Sequence, residues 1–186
     1  MGSGKSVLST NVIEQITEIA SREAVRAFRE ELKEQQRRVE NRKVSATRRM
    51  LQSYRRVKAQ VRKEAKLTED EMRQLRWKFL EYMMGDPFSA RSAAPDQGVV
   101  AENNRRRENL YAVHRIEDAL KLYKKEVGAS KNEEKKRRFR AMYDLYFSKT
   151  EVTIEEIAAK EGVSEKTAYR DVREAVEIMS DYIMGF

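Results

Sequence analysis

The stretch from Thr153 to Tyr182, TIEEIAAKEGVSEKTAYRDVREAVEIMSDY, leaves its own part of the chain little choice of fold. Thr153 with Glu156 three positions on is a capping box, in which hydroxyl and carboxylate each satisfy a backbone N–H that a helix start leaves unpaired. Ile154, Ile157 and Ala158 then recur at helical spacing. Gly162 falls where that helix must end in a left-handed residue, a conformation glycine adopts without steric cost. Val163 is expected to plug the angle between two helices, and Ser164 to cap the second. Within that second helix Ala168, Val172, Ala175 and Val176 share an inward face. The small Ala158 and Ala168 suit two axes that cross at short distance.

The outward positions of the second helix are Glu165, Lys166, Thr167, Tyr169, Arg170 and Arg173. In a helix-turn-helix the N-terminal part of the second helix enters the DNA major groove, so these side chains are the ones expected at base edges. Lys166 or Arg170 suits a guanine edge and Glu165 suits the amino group of cytosine. Ser164 is expected on a phosphate, and Thr167 is the residue of the first turn that suits a phosphate as well as a base. The competing reading is a structural helical hairpin whose charged face is merely solvated.

Net charge is +8 and charged residues make up 38% of the chain, with aromatics at 8% and only two prolines. This balance favours a largely helical protein and suits a polyanionic partner, although helical proteins also use basic charge for solubility. Cysteine is absent and His114 is the one histidine, so disulfides and thiolate or zinc sites are not expected. Carboxylates alternate with Lys and Arg on helix faces without converging, and no strand precedes a glycine-rich loop. No catalytic residue, metal or cofactor is therefore expected. No apolar run reaches membrane-spanning length, so a soluble cytoplasmic protein with no membrane partner is the expectation.

The chain opens on MGSGKSVL, which superficially suggests a phosphate loop or a myristoylation signal. The first lacks its strand and leading glycine, and a floppy start is the simpler expectation. From Ser9 to Asn41, Ile13, Ile16, Ala20, Ala24, Ala27, Phe28 and Leu32 recur at spacings of three and four. This stripe should dock on another helix, of the same chain or of a second copy. Its continuation, ELKEQQRRVENRK, reads as exposed helix or a frayed joint.

Residues 37–63 carry Arg37, Arg38, Arg42, Lys43, Arg48, Arg49, Arg55, Arg56, Lys58, Arg62 and Lys63 against the lone acid Glu40. Val44, Met50, Leu51, Tyr54, Val57 and Val61 line the other face. Phosphate contact is the natural use of such a stripe, with Arg48, Arg49, Arg55 and Arg56 as its centre. A solvated face balanced by acids elsewhere is the alternative. Thr68 and Glu71 form a second capping box, and Met72, Leu75, Phe79, Leu80 and Met83 make the core face of the helix they start. That acidic start should pair with the basic helix as a hairpin around Leu67–Thr68.

Both prolines, Pro87 and Pro95, fall in GDPFSARSAAPDQGVV, the clearest break in the chain. Beyond it Leu110, Val113, Ile116, Leu120, Tyr123 and Val127 approximate a heptad seam, which would pack on the C-terminal unit or pair two chains. Phe139, Met142, Tyr143, Tyr146 and Phe147 give the next helix a broad apolar face. Lys135, Lys136, Arg137 and Arg138 at its start are placed to grip a phosphate backbone. The expected architecture is all-α. It comprises an N-terminal helical region (1–84) with a basic helix (44–65), a linker (85–100), a connecting or oligomerising helix (101–130) and a helix-turn-helix domain (131–186).

The C-terminal third resembles the helix-turn-helix of sigma factor region 4 and, more closely, the ArpU/RinA group of phage late-gene transcriptional regulators. The residues that carry the likeness are Arg138, Met142-Tyr143-Asp144-Leu145-Tyr146, Thr153, Glu156-Ile157-Ala158, Gly162-Val163-Ser164, Thr167-Ala168-Tyr169-Arg170 and Ala175. Pro95, Gly98, Glu102 and Ile116-Glu117-Asp118-Ala119-Leu120 extend it, and RRMLQSYRRVK is similar to the start of such regulators. Residues 1–40 have no counterpart in the family. The resemblance implies binding to double-stranded promoter DNA and engagement of host RNA polymerase, inside a bacterial host, to activate packaging and morphogenesis genes. A homodimer is compatible with it. Two other classes share these features. A phage small terminase subunit couples a helix-turn-helix to an oligomerising region, though usually in the opposite order. A sigma-like factor would need an aromatic-rich strand-melting segment, which is not seen.

Overall fold

The computed structural model describes residues 10–61, 66–85 and 99–185, with side chains from 14 in the first span and from 102 in the last. The opening octapeptide, the proline-containing break at 86–98 and the basic pair Arg62 and Lys63 lie outside the described residues. Six helices and no strand account for the described chain, so the protein is all-α. They are α1 (Thr10–Val61), α2 (Glu69–Met84), α3 (Val99–Ala129), α4 (Glu133–Phe147), α5 (Ile154–Glu161) and α6 (Glu165–Met184). The chain divides into two compact units, Met1–Asn41 and Arg42–Phe186. No described helix is long and apolar enough to cross a membrane.

In the first unit α1 is helical throughout, so the ELKEQQRRVENRK tract is exposed helix and not a frayed joint. Every residue from Glu14 to Arg38 is exposed, including Ile16 at 55%, Phe28 at 62% and Leu32 at 42%. From Ile16 onward the apolar stripe read from the sequence therefore has no cover among the described residues of its own unit.

The second unit holds the core. Helices α4 and α6 pack together, α5 closes on α6, and α3 runs against both α4 and α6. Met142, Ile157, Ala175, Val176 and Met179 lose all contact with water, and Tyr123 of α3 joins them at 1% exposure. Burying a side chain of this size stabilises by about 1.5–3 kcal/mol. Tyr123 meets the edge of Phe139 with ring centroids 5.1 Å apart. The heptad-like seam of α3 (Leu110, Val113, Ile116, Tyr123, Val127) is spent inside this core.

The hairpin expected at Leu67–Thr68 gives way to a different pairing, in which α2 lies against α3. Phe79 packs edge-on against Tyr111, Glu71 pairs with Arg107, and Lys78 Nζ sits 3.5 Å from Glu108. Glu71 of the α2 start thus finds its base on α3, while Asp70 lies 3.9 Å from Arg73 of its own helix. The C-terminal part of α1 is fastened to α3 and α4 instead. Lys58 Nζ is 2.7 Å from Glu117, Tyr54 donates to the same carboxylate, and Tyr54 stacks at a tilt on Phe147.

Candidate nucleic-acid interface

Local sequence sets the two helices before the site as expected. Thr153 and Glu156 form the reciprocal capping box of α5. Gly162 ends that helix at φ 66°, ψ 35°, and the N–H of Val163 reaches back to the Ala158 carbonyl at 3.0 Å. A left-handed residue followed by that backward bond is how a helix end satisfies its orphan carbonyls. Ser164 then caps α6, its hydroxyl accepting from the Thr167 N–H at 3.2 Å.

Helix α6 separates its two faces sharply. Ala168, Asp171, Val172, Ala175, Val176 and Met179 are buried, while Glu165, Lys166, Tyr169, Arg170 and Arg173 are exposed. Lys166, Tyr169, Arg170 and Arg173 fall on one side at spacings of three and four, so they form a ridge. Tyr169 is 58% exposed. Arg170 lies 3.9 Å from Glu174 and Arg173 lies 3.7 Å from Glu177, both within one turn of the helix. Such long exposed pairs hold a side chain weakly and leave it available. Lys166 and Tyr169 make no hydrogen bond or ion pair among the described residues. Thr167 is half-buried and its hydroxyl meets that of Ser164 at 2.9 Å, so both are occupied with the helix start.

The bases assigned to phosphates from the sequence divide into two groups. Arg48, Arg49 and Arg56 stand exposed on α1. Arg55 does not: its guanidinium donates to the Leu145 carbonyl at 2.9 Å and to the Ser148 hydroxyl at 3.1 Å, tying α1 to the end of α4. Arg137 and Arg138 have a similar internal employment. Arg137 Nε donates to Asp171 Oδ2 at 2.6 Å, and Asp171 has a side chain 1% exposed. Arg138 is shared between Glu134 at 2.6 Å and Glu174 at 2.8 Å. Lys135 pairs with Glu126 and Lys136 with Glu133, at 2.9 and 2.8 Å. A carboxylate on the inward face of α6 demands a cation, because a buried charge without one is strongly unfavourable. Asp171 takes that cation from the tract that looked like a phosphate grip.

Sequence reasoning passed over Asp171, although its place on the apolar face three residues after Ala168 was the signal. It also passed over two ties between α4 and α5. Arg140 holds Glu161 through two bonds of 2.8 and 2.6 Å, and Lys160 reaches Asp144 at 2.5 Å. The hydrogen bonds from Arg140 hold the Glu161 carboxyl below the usual carboxylate range. Arg115 of α3 donates to the Ile183 carbonyl at 2.5 Å and so satisfies the C-terminal end of α6. The helix with the exposed ridge is thus tied to α4 at Asp171 and to α3 at Ile183.

No protein-family model matches this chain, and comparison with curated proteins and with solved structures finds no match. The class that fold and site define is an all-α protein presenting a cationic helix ridge on an ion-paired three-helix unit.

Proposed function

We propose that the protein is a sequence-specific DNA-binding transcriptional regulator that reads double-stranded promoter DNA with α6. The observation that carries this reading is the ridge of Lys166, Tyr169, Arg170 and Arg173, exposed on one face of a helix whose other face is buried. A helix start inserted in the major groove needs that combination: exposed donors outside and a packed mount inside. Arg170 and Lys166 suit guanine edges, and Tyr169 and Arg173 flank them. Arg48, Arg49 and Arg56 supply the phosphate contacts, since Arg55, Arg137 and Arg138 are held by the protein itself. The resemblance to phage late-gene regulators extends the proposal to activation of packaging and morphogenesis genes through host RNA polymerase.

Footprinting on DNA upstream of the neighbouring genes, with salt varied, tests the reading. A short protected site is expected, with an affinity that falls steeply as salt rises, because each phosphate contact releases condensed counterions. Absence of any duplex binding at low salt overturns the proposal, and so does binding unchanged when Lys166, Arg170 and Arg173 are all replaced by alanine.

A further inference from the structure

The first unit presents an i, i+4 row of apolar side chains, Ile16, Ala20, Ala24, Phe28 and Leu32, every one of them exposed. Nearby Ile19 and Val25 are exposed at 62% and 51%. Rows of this spacing are the ridges by which helices interlock, and an isolated helix gains most of its stability from such packing. Part of the charge around the row is paired within the helix. Arg22 bonds Glu18 at 2.6 Å, Arg26 bonds Glu30 at 3.4 Å and Arg38 bonds Glu34 at 2.9 Å. What the row lacks is an apolar counterpart.

We propose that residues 14–38 pair antiparallel with the same segment of a second copy of this chain. Two registers set the row on itself, and the one that leaves no alanine facing an alanine is favoured. With the two-fold axis between Ala24 and Phe28, each alanine meets a large side chain: Ala24 lies opposite Phe28 and Ala20 opposite Leu32 of the second copy. An interface that uses one patch on both copies closes as a dimer. Charge selects the direction. Residues 14–19 carry Glu14 and Glu18 with no base, whereas residues 33–38 carry Lys33, Arg37 and Arg38 against Glu34. Antiparallel pairing sets the acidic end on the basic end at both ends of the contact. Parallel pairing sets acid on acid, base on base and Phe28 on Phe28. The segment is about 38 Å long, at roughly 1.5 Å per helical residue.

The native chain has no cysteine, so introduced thiols report only themselves. Ala24→Cys mixed with Phe28→Cys under mild oxidation is expected to give a cross-linked pair between the two variants. A dominant Ala24→Cys homodimer, or no cross-link, overturns the register. Sedimentation should show a dimer whose dissociation constant rises at least tenfold in Phe28→Glu, with the thermal unfolding of the second unit unchanged. Glu14→Lys/Glu18→Lys should weaken the dimer, and adding Lys33→Glu/Arg37→Glu to the same chain should restore it. A monomer at all concentrations, a ring of many subunits, or no rescue overturns the pairing. The pairing does not rest on the DNA reading: a monomer that still protects promoter DNA removes the first and leaves the second.

Discussion

At Asp171 a carboxylate with a side chain 1% exposed lies between two guanidiniums, Arg137 at 2.6 Å and Arg138 at 3.7 Å. Removing one member of a buried pair strands the other in a medium that solvates it poorly, which typically costs about 3–5 kcal/mol. Arg137→Ala should fall near the lower end, about 3 kcal/mol, because Arg138 remains close to the orphaned carboxylate. The double change Arg137→Ala/Asp171→Ala should recover part of that loss, and denaturant unfolding of the three variants measures it. The ridge residues answer to a different measurement. Arg170→Ala should leave stability within about 0.5 kcal/mol, since its guanidinium is exposed and its pair with Glu174 is long, at 3.9 Å. It should lower DNA affinity by about 1–3 kcal/mol and relax the preference at one base pair if the guanidinium is bidentate there. A loss equal on all sequences would move Arg170 to the phosphate backbone. Asp171 and Arg170 stand on α6 one position apart, and only their faces separate a buried brace from an exposed side chain.

At the scale of the element, caps and glycines act through the backbone. Gly162 sits at φ 66° with nothing within 4 Å of where a Cβ would stand. The cost of Gly162→Ala is therefore conformational alone, about 1–2 kcal/mol for a left-handed residue with a side chain. Gly162→Asn should cost less, and a smaller fall in Tm for Asn than for Ala checks the account. The capping boxes at Thr68 and Thr153, the left-handed Gly162 and the Ser164 cap were all legible in the sequence, because each depends on residues within four positions. The pairing of elements was less so. The acidic start of α2 was matched to the nearest basic helix, yet Glu71 found Arg107 on α3, because charge complementarity alone does not choose among several basic helices.

For the whole molecule, acid is the informative stress. The hydrogen bonds from Arg140 lower the Glu161 carboxyl, and those from Tyr182 and Lys135 lower that of Glu126. A carboxyl lowered on folding adds stability that is complete above its unfolded value and lost as the pH falls through its folded one. The stability of the second unit should hold above about pH 5 and decline as pH drops below the ordinary carboxylate value. Melting curves from pH 6 to pH 3 should show that decline, and Glu161→Gln should make it shallower.

What the sequence determined by itself was local: an all-helical chain, the start and stop of α5, the start of α6, and the outward placement of Lys166, Tyr169, Arg170 and Arg173. Periodicity and capping chemistry involve neighbours along the chain, so they can be read without coordinates. Only the tertiary structure decided which cations are free. Arg48, Arg49 and Arg56 look like Arg55, and Lys166 looks like Lys135, until the carboxylates and carbonyls brought near by packing are known. A guanidinium's role depends on the partner within about 3 Å of it, and such partners come from distant parts of the chain, as Asp171 comes to Arg137.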